Sequence, residues 1–210
     1  MVRCCLCSAL CAVLGTVSAL LAAAALPARA GAEDAPFFLL GPQQVGFAVG
    51  YGHGIDGAVS VARDGHEVRE LIVRPHWQIE LTRPPEQPGW LGGVLGFRLE
   101  ATILANFQPH NGVGAGVGML LRYNFLHWQP FEPYVQVGAG VMDLAFGLAD
   151  QADGLAFTPE GGIGLCYPIS PSVSMDAGVR FHHISNANTE LPNGGIDSIQ
   201  LMLGLVYHFD

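Results

Sequence analysis

The chain has 210 residues, half of them apolar and only 13% charged, with 28 glycines and a formal net charge of −9 at pH 7. All nine basic residues are arginine. An acidic chain without lysine lacks the basic footprint of a nucleic-acid-binding protein, and so small a charged fraction is unusual for a soluble domain.

Residues 1–30 read as a secretory signal peptide. Arg3 supplies the positive start, an almost wholly apolar stretch runs from Leu10 to Leu26, and Ala28-Arg29-Ala30 is a small-x-small cleavage site before Gly31. The remainder, 31–210, is expected to form one domain. Cys4, Cys5, Cys7 and Cys11 lie in the leader and Cys166 alone follows it, so the processed chain has no cysteine pair for an internal disulfide.

After the leader, no segment reaches the length of apolar sequence a membrane helix needs. Strict alternation of apolar and small or polar residues appears instead, the signal of strands with two different faces. In chain order the segments are 45–51, 71–81, 95–107, 113–125, 135–141, 155–167, 173–181 and 199–209, each with its apolar residues at odd positions. Turn signals separate them, among them Arg63-Asp64-Gly65, Pro84-Pro85, Pro109-His110-Asn111-Gly112, Gln129-Pro130, Asp153-Gly154, Ser170-Pro171 and Pro192-Asn193-Gly194-Gly195. Eight such strands predict an all-β protein, an eight-stranded antiparallel up-and-down barrel.

A soluble barrel would place the apolar face inside. The even face argues against that, because it is rich in glycine and sparse in charge. It suits a narrow, filled interior in which Arg74, Arg98, Arg122 and Arg180 pair with Glu80, Glu100, Glu160 and Asp176. The apolar face would then meet lipid, with Trp77, Phe97, Tyr123, Phe125, Tyr167 and Tyr207 near strand ends as an aromatic girdle. The ending Leu205-x-Tyr207-x-Phe209 is similar to an outer-membrane insertion signal, although Asp210 follows it. The expected location is the bacterial outer membrane.

The stretch "RFHHISNANTELPNGGIDSIQL", 180–201, is where chemistry concentrates. His183 and Ser185 continue the odd series of the seventh strand and Asp197 begins that of the eighth. All three therefore project from the lipid-facing wall near its outer end. Residues two apart on one strand face have Cα atoms about 6.5–7 Å apart, which lets an imidazole serve a hydroxyl, while a cross-strand carboxylate reaches the other ring nitrogen. That is the logic of a nucleophile, base and orienting acid. A polar rim above the membrane would show the same residue types. His182, at an even position, is expected to point inward, as is Cys166. The other histidines, His53, His66, His76, His110, His127 and His208, show no metal-ligand spacing and read as interior or interfacial.

The same stretch resembles the active-site segment of the outer-membrane lipid A 3-O-deacylases, the PagL family. His183-x-Ser185-Asn186-Ala187, then Pro192-Asn193-x-Gly195, then an acid at the start of the last strand carry the resemblance. The acid is Asp197 here where the family usually has Glu. The resemblance implies a serine esterase without metal or cofactor that removes the ester-linked 3-hydroxyacyl chain at position 3 of lipid A. It implies His183 as base, Ser185 as nucleophile, Asp197 as orienter and Asn193 as an oxyanion donor beside a backbone N–H of 185–187, with Asn186, Ala187 and Gly195 as supporting residues. A structural or adhesive barrel, an outer-membrane phospholipase and a soluble ligand-binding barrel are the alternatives, and the sequence leaves a homodimer open.

Overall fold

The computed structural model describes residues 43–56, 59 and 68–209. The expected leader 1–30, the turn signal at 63–65 and His66 lie outside these residues. Nine elements follow in order: β1 (Gln43–Ile55), β2 (Arg69–Glu80), β3 (Gly93–Gln108), β4 (Gly112–Phe125), β5 (Glu132–Ala145), β6 (Gly154–Phe157), β7 (Glu160–Ser170), β8 (Val173–Ile184) and β9 (Ile196–Phe209). Each pairs antiparallel with its neighbours, and β1 pairs with both β2 and β9, which closes the sheet. The barrel has eight strand positions, because β6 and β7 share one beside β5.

The sequence pattern had predicted a single strand over 155–167. The structure divides it at Thr158-Pro159, and the physical reason is proline. The carbonyl of Pro159 accepts a bond from the His183 N–H at 3.0 Å, but proline has no N–H to return one. The register does not slip across the break. Phe157 stands opposite Val141 before it and Glu160 opposite Gly138 after it.

Parity decides which way every side chain points. Phe47, Val49, Leu71, Val73, Val137, Ile163, Leu201, Leu203 and Leu205 stand exposed on the outer wall, while Arg74, Arg98, Glu100, Arg122, Glu160, Asp176 and Arg180 are buried inside. This inverts the soluble pattern and is the arrangement of a barrel whose wall meets hydrocarbon.

The interior has two layers. In the middle, Arg74 Nη1 donates to Glu100 and Glu160, each at 2.7 Å, and Nη2 donates to Gln200 at 2.8 Å. Arg180 makes a two-pronged contact with Glu100 at 2.6 and 2.9 Å. Arg122 pairs with Asp176, which also accepts from the Tyr134 hydroxyl at 2.7 Å, and the Arg122 guanidinium lies 3.5 Å from the centre of the Tyr134 ring. Room for that ring comes from Gly164 and Gly178, where an added Cβ would collide with it. Towards the end of the barrel that carries the 185–195 loop, Leu104, Leu144, Phe146, Ile184, Ile196 and Met202 belong to an apolar cluster, with buried Glu70, Asn106 and Ser198 at the same end.

Three expectations about the interior resolve differently. Glu80 joins none of the ion pairs among the described residues, because as the last residue of β2 it lies beyond the arginine layer. His182 points inward and is buried, but its Nδ1 has no hydrogen-bond partner, so it packs beside the network without joining it. Cys166 is inward and buried as parity requires. The six girdle aromatics all fall near the strand ends joined by 81–92, 126–131 and 171–172. Several of them touch there: Tyr123 with Phe125, Phe131 with Tyr167, and Tyr207 with Phe209.

Glu100 serves Arg74 and Arg180 at once, so removing its charge leaves both buried guanidiniums to share Glu160 alone. Glu100→Gln is expected to destabilise the barrel by about 3–5 kcal/mol, the scale for breaking a buried ion pair. Urea unfolding of the refolded protein in lipid vesicles, followed by tryptophan fluorescence, measures it.

Candidate active site

Antiparallel pairing sets His183 on β8 directly opposite Asp197 on β9. Their side chains share the outer wall, and His183 Nδ1 lies 2.6 Å from Asp197 Oδ1. The shorter acid therefore reaches the imidazole. The second carboxylate oxygen accepts the backbone N–H of Val59 at 2.6 Å. Asp197 is 1% exposed and His183 9%, so the pair sits on the lipid-facing wall without lying open to it. A carboxylate that accepts the Nδ1 proton fixes the neutral tautomer, which leaves Nε2 as the basic nitrogen.

Ser185 lies one step beyond the end of β8 on the same face. Its backbone is pinned to β6 by two bonds: the Phe157 N–H donates to the Ser185 carbonyl at 2.7 Å and the Ser185 N–H to the Phe157 carbonyl at 3.1 Å. Among the described residues its hydroxyl makes no hydrogen bond, so the contact with His183 is not closed in this state. Catalytic hydrogen bonds of this kind often close only when substrate binds.

The loop from 186 to 195 is organised by Asn186, which is buried. Its side-chain Nδ2 donates to the Glu190 carbonyl at 2.7 Å and its Oδ1 accepts from the Asn188 N–H at 3.0 Å. Its own N–H donates to Asn193 Oδ1 at 3.0 Å. Ala187 and Asn188 both take left-handed backbone angles, with φ of 54° and 61°, which turns the chain sharply above Ser185. Asn193 Nδ2 donates to Asn188 Oδ1 at 3.2 Å, and a primary amide keeps a second hydrogen beyond that bond. Gly195 has φ of 71°, a conformation that favours glycine. Its N–H donates to the Gln151 side chain at 2.9 Å.

Of the residues that the sequence singled out, the structure brings His183 and Asp197 into contact and sets the others close by in sequence and register. Ser185 adjoins this pair on the same face, and Asn186, Ala187, Asn193 and Gly195 form the loop above. Val59 and Gln151 were missed. Both act from other loops, where no periodicity marks them. Among the described residues no three His, Cys, Asp or Glu are arranged to hold a metal ion.

A family model described as "Lipid A 3-O-deacylase (PagL)" matches residues 72–206, well over half of the chain. The chain belongs to the lipid A 3-O-deacylase (PagL) family. It is similar to the crystal structure of the outer membrane enzyme PagL at 22% identity, with a TM-score of 0.53, covering 77% of this chain and 97% of that one. It is also similar to the crystal structure of Neisserial surface protein A at 17% identity, with a TM-score of 0.59, covering 80% and 97%. At these identities the likeness is one of fold. No curated protein sequence matches the chain. The protein is an eight-stranded outer-membrane β-barrel.

The pairing of His183 with Asp197 predicts a fixed tautomer. In 15N NMR of the protein labelled at histidine, His183 is expected to carry its proton on Nδ1 at neutral pH. In Asp197→Asn the amide serves only one of its two partners as an acceptor, and the His183 signal is expected to shift towards mixed tautomers.

Proposed function

We propose that this protein hydrolyses the ester bond that holds the 3-hydroxyacyl chain at position 3 of lipid A. The observation that carries the reading is the 2.6 Å contact of His183 with Asp197 on the lipid-facing wall, one residue pair from Ser185. A charged and a titratable side chain are costly at that position unless they pair, and membership of the family supplies the substrate class. The segment 1–30 would serve export and be removed, leaving 31–210 as the mature barrel.

His183 Nε2 takes the Ser185 hydroxyl proton as the oxygen attacks the ester carbonyl. Asp197 holds the ring and stabilises its charged form. The tetrahedral intermediate collapses with His183 giving that proton to the departing sugar oxygen, and an acyl-serine remains. Water, activated by His183, then releases the 3-hydroxy fatty acid and restores Ser185.

The family resemblance implies Asn193 as an oxyanion donor beside a backbone N–H of 185–187, and the hydrogen bonds narrow the choice of that backbone group. The Ser185 N–H is committed to Phe157 and the Asn186 N–H to Asn193. The Ala187 N–H and the second hydrogen of Asn193 Nδ2 remain to stabilise the developing negative charge. Because the wall faces lipid, the acyl chain reacts without leaving the leaflet.

A second reading, a non-catalytic barrel, is favoured by the open contact between Ser185 and His183. Mass spectrometry of lipid A from cells that express the protein separates the two. With the wild type, loss of one 3-hydroxyacyl mass is expected; with Ser185→Ala or His183→Ala, no loss. Unchanged lipid A with the wild type, and no hydrolysis of purified lipid A in detergent, would sink the esterase reading. Asn193→Ala is expected to lower kcat by about 10²-fold, the scale for removing one oxyanion donor, in a hydrolysis assay on purified lipid A.

A further inference from the structure

Gln151 belongs to the loop between β5 and β6, yet it is only 1% exposed. Both ends of its side-chain amide are used. Oε1 accepts the Gly195 N–H at 2.9 Å, and Nε2 donates to the Ala152 carbonyl at 3.2 Å. Its backbone forms an isolated bridge with Asn193. On either side the Ala152 N–H donates to the Pro192 carbonyl at 2.8 Å, and the Gly194 N–H to the Asp150 carbonyl at 2.7 Å. The 192–195 segment is thus held, residue by residue, by 150–152. The holding loop is itself anchored, since Asp153 accepts the N–H groups of Phe146 and Gly147 at 2.8 and 2.9 Å.

This clamp lies between two groups that the proposed reaction uses. Asn193 is bridged to the backbone of Gln151, and Gly195, bonded to its side chain, is two residues from Asp197. We propose that Gln151 is a positioning residue that fixes Asn193 as an oxyanion donor over Ser185. The inference rests on the esterase reading above. Gln151 does not touch the reacting atoms. Its side chain holds the Gly195 N–H, and through the 192–195 segment it sets where the Asn193 amide stands; a misplacement of about 1 Å in such a group costs on the order of 10²-fold in rate.

The test is a double-mutant cycle on the full protein, refolded in detergent and checked for the heat-modifiable gel mobility of a closed barrel. Gln151→Leu removes both polar ends at similar volume, and Gln151→Glu keeps the acceptor for Gly195. Lipid A hydrolysis is expected to show kcat lowered about 10- to 100-fold in Gln151→Leu, KM within twofold, and most of the rate retained in Gln151→Glu. In an Asn193→Ala background, Gln151→Leu is expected to add less than about threefold, because its effect passes through the amide already removed.

Wild-type rates in Gln151→Leu overturn the proposal and leave the esterase reading intact. A loss that is undiminished in the Asn193→Ala background also overturns it, since that marks general loosening of the fold. An inactive wild type overturns both. If Gln151→Leu does not close into a barrel, Gln151→Asn, shorter by one methylene, carries the same cycle.

Discussion

Hydrocarbon offers no partner to a backbone N–H or C=O, and the rest of this structure follows from that constraint. The sheet must close, so β1 meets β9. Once the wall is apolar, the polar residues of every strand face a confined lumen, where they must satisfy one another. Glu100 and Glu160 do this by sharing Arg74 and Arg180, and Asp176 by taking Arg122 and Tyr134 together. Small residues then become necessary wherever a long side chain crosses the lumen, as Gly164 and Gly178 are beside Tyr134.

The same constraint governs the site on the outside. A carboxylate on this wall is tolerable because Asp197 is enclosed by the His183 ring and the Val59 N–H, with both oxygens bonded. The cross-strand pair is set by the register of the β8–β9 ladder. Ser185 and Asn193, in contrast, stand just past the strand ends, where ladder bonds run out. Their positions depend on loops bonding to loops: β6 to Ser185, Asn186 to its own turn, and 150–152 to 192–195.

That division matches what could be read from the sequence. Period-two alternation fixed which face each residue takes, and through it the inward arginines, the outward His183 and Ser185, and the meeting of His183 with Asp197 across two strands. It said nothing of contacts that lack a period. A lone Gln in a loop, such as Gln151, or a backbone donor such as Val59 carries no residue-type signal at all. Glu80 was misplaced because parity gives the face and not the depth, and depth puts it beyond the arginines. Pro159 was visible in the sequence, but the uninterrupted alternation around it favoured one strand over two short ones that keep a common register.

The two interior layers have a consequence for the cell that makes this protein. Among the described residues, ion pairs occupy the middle of the lumen and a mainly apolar cluster its loop end. The proposed reaction, carried on the outer surface of such a filled barrel, would need no entrance through the lumen, and its capacity would grow with copy number alone.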